Sequence, residues 1–164
     1  MKKTLFLFLT LMMPAALWAD ELGLYLVDKS DTNVRNAPGG KVVCQLPCIE
    51  EGYILQVDRI EKGWCRVVGN IVEPTLDEEQ VKLTGSSTGY WIHNSLLFAK
   101  GMGDGGLTLY AEKSKRSKVV LKTTEWTEFN PIEISGKWVK VRVGKKTGWM
   151  LISEVCNNPL TNCC

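Results

Sequence analysis

The sequence contains one histidine, His93, in 164 residues. Any site that needs several imidazoles is therefore excluded, and thiol–imidazole chemistry has a single base to draw on. The six cysteines do not form two compact ligand pairs, so no metal centre is expected. No other cofactor is expected either. Gly101, Gly103 and Gly106 do spell Gly-x-Gly-x-x-Gly, but Leu107 to Tyr110 reads as extended and no long amphipathic helix follows, which argues against a dinucleotide site. Excess charge is scarce as well: the formal net charge is +2, and Lys2 and Lys3 account for it. Only Lys113-Ser114-Lys115-Arg116-Ser117-Lys118 concentrates positive charge, and it reads as a solvated loop, so no nucleic-acid partner is expected. No apolar run reaches the ~20 residues of a spanning helix.

The chain begins with Lys2-Lys3, a short apolar run from Leu5 to Met13, and Pro14-Ala15-Ala16-Leu17-Trp18-Ala19. This order predicts a secretory signal over residues 1–19, cut after Ala19, leaving a soluble protein in the periplasm or outside the cell. Cys44, Cys48, Cys65, Cys156, Cys163 and Cys164 all follow the cut and would enter a compartment where disulfides persist. Six cysteines allow about fifteen full pairings.

What the chain does have is a repeat of short alternating stretches. Val139, Val141 and Val143 alternate with Trp138, Lys140 and Arg142, the period of a strand with one buried face. Gly63-Trp64-Cys65-Arg66-Val67 is an earlier copy. Leu109-Tyr110-Ala111-Glu112 lies under Val34-Arg35-Asn36-Ala37, and Lys118-Val119-Val120-Leu121 under Lys41-Val42-Val43-Cys44. Aligned on its glycine, Gly148-Trp149-Met150-Leu151-Ile152 lies under Gly89-Tyr90-Trp91-Ile92-His93. The first copy alone carries an insertion, about 69–88, whose Asn70-Ile71-Val72 and Gln80-Val81-Lys82-Leu83 can extend a hairpin toward an acidic tip.

In these motifs the chain resembles a tandem of bacterial SH3-like domains, carried by Asn33-Val34-Arg35-Asn36-Ala37-Pro38, its weaker echo from Leu109 to Lys113, the paired Val-Val strands, and the two Trp hairpins. The resemblance implies an all-β fold of two small five-stranded barrels, the first bearing the inserted hairpin. Its boundaries are 20–99 for the first unit, 100–106 for a linker, 107–156 for the second unit and 157–164 for a cysteine-containing tail. It also implies a non-enzymatic exported module that recognises peptidoglycan, a wall-associated peptide or a glycan. Lys113 in place of Pro38 and the insertion are departures from the shared pattern.

Candidate ligand-binding residues are Asn33, Arg35, Trp64, Tyr90, Trp91, Tyr110, Trp138 and Trp149, whose rings can stack on a sugar or cover a peptide, or else pack the rim. Glu73, Asp77, Glu78 and Glu79 mark the acidic hairpin as a partner-binding element, which supports a rival reading as an adaptor or periplasmic inhibitor of an envelope protein. Cys44 and Cys65 fall where the second copy has Leu121 and Val139, so they are either a disulfide through the core or two small apolar thiols. Cys48 would then look to Cys156. A cysteine-dependent peptidase, using His93 as base, is a third reading; the repeat places His93 at the position of Ile152, as a structural residue. Oligomeric state is left open.

Overall fold

A computed structural model describes residues 22–26, 31–49, 52–72, 80–101, 106–125 and 127–156. The signal segment, Glu73, Asp77, Glu78 and Glu79, most of the linker, and Cys163 and Cys164 lie outside the described residues.

Thirteen strands are described. β1 (Leu22–Leu26), β2 (Thr32–Arg35), β3 (Val42–Leu46), β4 (Tyr53–Glu61), β5 (Trp64–Val72), β6 (Gln80–Val81), β7 (Tyr90–His93) and β8 (Leu97–Lys100) come first. β9 (Leu107–Tyr110), β10 (Val119–Thr123), β11 (Glu128–Ser135), β12 (Trp138–Val143) and β13 (Lys146–Leu151) complete the set. Alternation drives them: in β4, Tyr53, Leu55 and Val57 are buried, and in β12, Val139 and Val141 are fully buried. The two principal hairpins use two-residue turns. Lys62 and Gly63 both take positive φ (49° and 81°) between Glu61 and Trp64. In the second hairpin Gly136 occupies the first turn position at φ 55°. This is why the glycine sits one place earlier in the second copy.

The strands pair in the order β10-β9-β13-β12-β11-β8-β1-β4-β5-β7-β2-β3, with β6 added to β5. This corrects the expectation of two closed five-stranded barrels. One six-strand half of the path curls into a half-barrel, and the other stays open and uncurled. β3 and β10 end the path instead of closing it. The reason lies at the middle: β8 pairs β1 on one side and β11 on the other, so each half uses hydrogen bonds to join its neighbour. Asn94 Nδ2 donates to the Pro131 carbonyl and Asn130 Nδ2 to that of Leu97, both at 2.9 Å, adding side-chain ties across the same seam. One apolar cluster accordingly runs from Leu22 and Val34 through Leu97 and Phe129 to Val155.

Candidate functional site

Cross-strand register decides which candidate residues meet. Arg35 lies opposite Trp91, and Trp64 opposite His93. Their neighbours Val34, Cys65 and Ile92 fill the core, so alternation sends Arg35, Trp64, Trp91 and His93 to the outer face of one sheet region. Asn33 also lies on β2, half-buried, and accepts from Gln45 Nε2 at 3.1 Å. Tyr90 pairs with the buried Val67 and thus faces the core side; its hydroxyl donates to the Ser86 carbonyl at 3.4 Å. It does not join the Trp64 group.

The half-buried Trp64 is held on two sides. The Arg35 guanidinium carbon sits 5.5 Å from the ring centroid, while its Nη1 donates to the Gly40 carbonyl at 2.6 Å. His93 meets the indole edge-on, with centroids 5.0 Å apart. The imidazole also caps a short 3-10 turn, Asn94–Leu96: the Ser95 amide donates to Nδ1 at 3.3 Å, and the Ser95 hydroxyl lies 2.7 Å from the same nitrogen. A backbone N–H can only donate, so Nδ1 accepts and the ring proton resides on Nε2. Nε2 is thereby a donor beside Gly63, whose added Cβ would stand 3.3 Å from it.

The second region carries the same ladder with different chemistry. Val139 lies opposite Met150 and Trp138 opposite Leu151, as Cys65 lies opposite Ile92 and Trp64 opposite His93. Trp149 therefore corresponds to Trp91, and Leu151 to His93. Glycine alignment of the sequence is out by one residue here, because register follows the cross-strand partner. Trp91, Trp138 and Trp149 are 5%, 9% and 7% exposed, so these three candidates serve chiefly as packing. Tyr110 stands edge-on to Trp138 at 6.2 Å, and the Lys113 and Lys140 ammonium groups lie 5.2 and 5.7 Å from the Trp149 ring centroid. Lysine stems covering an indole account for part of that burial.

A partner that the sequence did not reveal is Asp58. It is the extra residue of a bulge in β4, between the pairs Val57–Val67 and Arg59–Arg66, and its carboxylate takes both Arg66 Nε, at 2.8 Å, and Arg66 Nη2. The Arg66 hydrogen bonds hold the Asp58 carboxyl below the usual carboxylate range, and the carboxylate raises the guanidinium in turn.

The cysteines correct another expectation. Cys44 and Cys65 are unbridged thiols. β3 and β5 stand three places apart in the order β5-β7-β2-β3, and neighbouring strands are about 4.8 Å apart, so the sheet does not bring them side by side. Burial pushes the fully buried Cys65 thiol up to about 12 and raises that of Cys44. Cys156 is disulfide-bonded. Cys65 and His93 occupy adjacent register positions but project to opposite faces, so they do not form a nucleophile–base pair. Cys48 is exposed near Asp31, whose carboxylate accepts its amide at 3.0 Å. No group of three or more metal-ligating side chains occurs among the described residues.

No family model matches the chain, and no curated protein matches it. Solved structures with some likeness include NlpC1 and NlpC2 from Trichomonas vaginalis, at 10% and 11% identity and a TM-score of 0.32 each. Each match covers 84% of this chain but 46% and 48% of those chains, so this chain spans about half their length. At that TM-score neither carries an argument about fold or activity. The resemblance to tandem bacterial SH3-like domains is corrected, since no family model matches the chain and the strand path does not close into two five-stranded barrels. The non-enzymatic wall-binding module, and the absence of enzymatic activity that went with it, rested on that resemblance and fall with it.

Proposed function

We propose that the chain recognises polypeptide, laying an extended stretch of a partner across the outer face of β2, β5 and β7 at Arg35, Trp64 and His93. The observation that supports this is the half-exposed Trp64, fixed by a guanidinium and an imidazole while its counterpart Trp138 is buried. A large ring already held in place offers apolar contact at little ordering cost. The His93 Nε2–H and the remaining Arg35 N–H groups are donors that suit peptide carbonyls. Candidate partners are a peptide or an envelope protein.

The test is binding of a panel of labelled, uncharged extended peptides to the full mature chain. Trp64→Ala is expected to weaken binding at least about tenfold with the fold intact by circular dichroism; unchanged binding refutes the reading. Mass spectrometry of the same mixtures shows whether bound peptide is cut, and cleavage lost in both His93→Ala and Cys48→Ser would make that partner a substrate. We further propose that residues 1–19 direct export and that 20–99 and 107–156 are the two units. Fractionation with determination of the mature N-terminus tests the first, and a mature chain starting at Met1 in the cytoplasm refutes it.

A further inference from the structure

The two outer faces differ in one way that bears on what they bind. In β4 the bulge residue is Asp58, which neutralises Arg66. In β11 the bulge falls at the same register, between the pairs Pro131–Val141 and Glu133–Lys140, and the extra residue is Ile132. Lys140 stands where Arg66 stands, each one place beyond the strand's second residue, but the carboxylate that would answer it is replaced by an alkyl chain. Lys140 instead leans on the Trp149 ring, joined there by Lys113, whose ammonium also donates to Ser135 Oγ at 2.9 Å. Glu133 lies opposite Lys140 and is exposed, and among the described residues neither it nor Lys113 nor Lys140 enters an ion pair. In the neighbouring loop, which also carries Arg116 and Lys118, Lys115 is already engaged by Glu154 at 2.7 Å.

We propose that the face around Trp149 is a carboxylate seat, in which Lys113, Lys140 and the Ser135 hydroxyl receive an acidic side chain of a polypeptide partner. The partner supplies from outside what Asp58 supplies from within the first copy. This rests on the polypeptide-recognition reading and names the charge of the ligand. The first face, with its internal ion pair closed, takes uncharged backbone; the second selects for acid. Both ammonium groups sit against an indole, which limits their hydration and favours a direct contact with an anion. Exposed pairs of this kind contribute modestly one by one, so two together are expected to change affinity about five- to thirtyfold.

The experiment uses the full mature chain and a fluorescein-labelled peptide of alternating Glu and Val, with an isosteric Gln-Val peptide as control, read by fluorescence anisotropy. The Glu-Val peptide is expected to bind more tightly than the Gln-Val peptide, with the difference shrinking as salt rises. Lys113→Met with Lys140→Met is expected to bring the two peptides level. Ile132→Asp places a carboxylate where the first copy has one and is expected to do the same while leaving both lysines in place. Circular dichroism and thermal melts confirm that each variant is folded, and the Ile132→Asp arm keeps the test open should the lysine pair lose the fold. Equal affinity for the two peptides in the parent chain, or a Glu preference that survives both variants, overturns the carboxylate seat. Loss of Gln-Val binding in Trp64→Ala alone would uphold recognition at the first face while leaving the second face refuted or supported by its own variants.

Discussion

Asp58→Asn isolates the ion pair in the β4 bulge. The side chains of Arg66 and Asp58 retain 30% and 23% exposure, so the pair is partly screened by solvent. A hydrogen bond to a charged group contributes about 1.5–3 kcal/mol when buried, whereas exposed pairs fall near 0–1 kcal/mol. The two-pronged geometry and partial burial place the loss between these, at about 1–1.5 kcal/mol at pH 7. In a chain of this size that lowers the melting temperature by about 3–6 °C. The pH dependence has a definite sign. The native pKa of Asp58 lies below its unfolded value, so its contribution is complete above about pH 4 and disappears as pH falls through the native value. Urea melts of the parent chain and Asp58→Asn should therefore differ most near neutrality and converge in acid. Arg66→Gln and the double variant complete a cycle whose coupling should account for most of the loss. A difference that persists undiminished below about pH 3, or a coupling near zero, would refute the assignment.

Trp138→Ala should cost about 3–5 kcal/mol in urea unfolding, against less than about 1.5 for Trp64→Ala, because the first ring is buried and the second half-exposed. Equal losses would contradict the asymmetry between the two faces. Gly106→Ala should lower the melting temperature sharply: Gly106 has φ 62°, and an added Cβ would lie 1.8 Å from the Thr123 carbonyl oxygen. Cys65 should resist iodoacetamide in the folded chain and react only on unfolding, a difference that peptide mapping after labelling would show. Cys65→Ser should destabilise by about 1–3 kcal/mol, since a hydroxyl would be buried among apolar neighbours.

The strands were legible because alternation is local: Val139 and Val141, or Leu107 and Leu109, announce an inward face whatever lies beyond them. The correspondence of Cys65 with Val139 was legible for the same reason. Register was less so. Glycine alignment matches Tyr90 with Trp149, whereas the ladder matches Trp91 with Trp149, because pairing depends on Arg66 and Lys140 across the strand rather than on spacing along it. Closure was not legible at all. Whether β3 and β10 meet other strands depends on β1 and β8, far away in the chain, and those strands bridge the halves. The buried Trp138 shows the limit for sites: its position identified a repeated hairpin, but only Tyr110, brought in from β9, reveals that its ring is covered. Asp58 escaped notice because a bulge breaks the period that a sequence reading follows.

The seam at β8 bears on how the protein can be divided. β1 is the first described strand, yet it is paired between β4 and β8, and β8 in turn lies against β11 from the second half. A fragment stopped before β11 would expose the backbone of β8 beside Leu97 and Ala99, and a fragment starting after β8 would expose that of β11 beside Phe129. Such open edges invite pairing with other chains. The two copies are thus repeats in sequence but each is the other's edge protection, so a cut between them should yield sticky halves instead of separable modules.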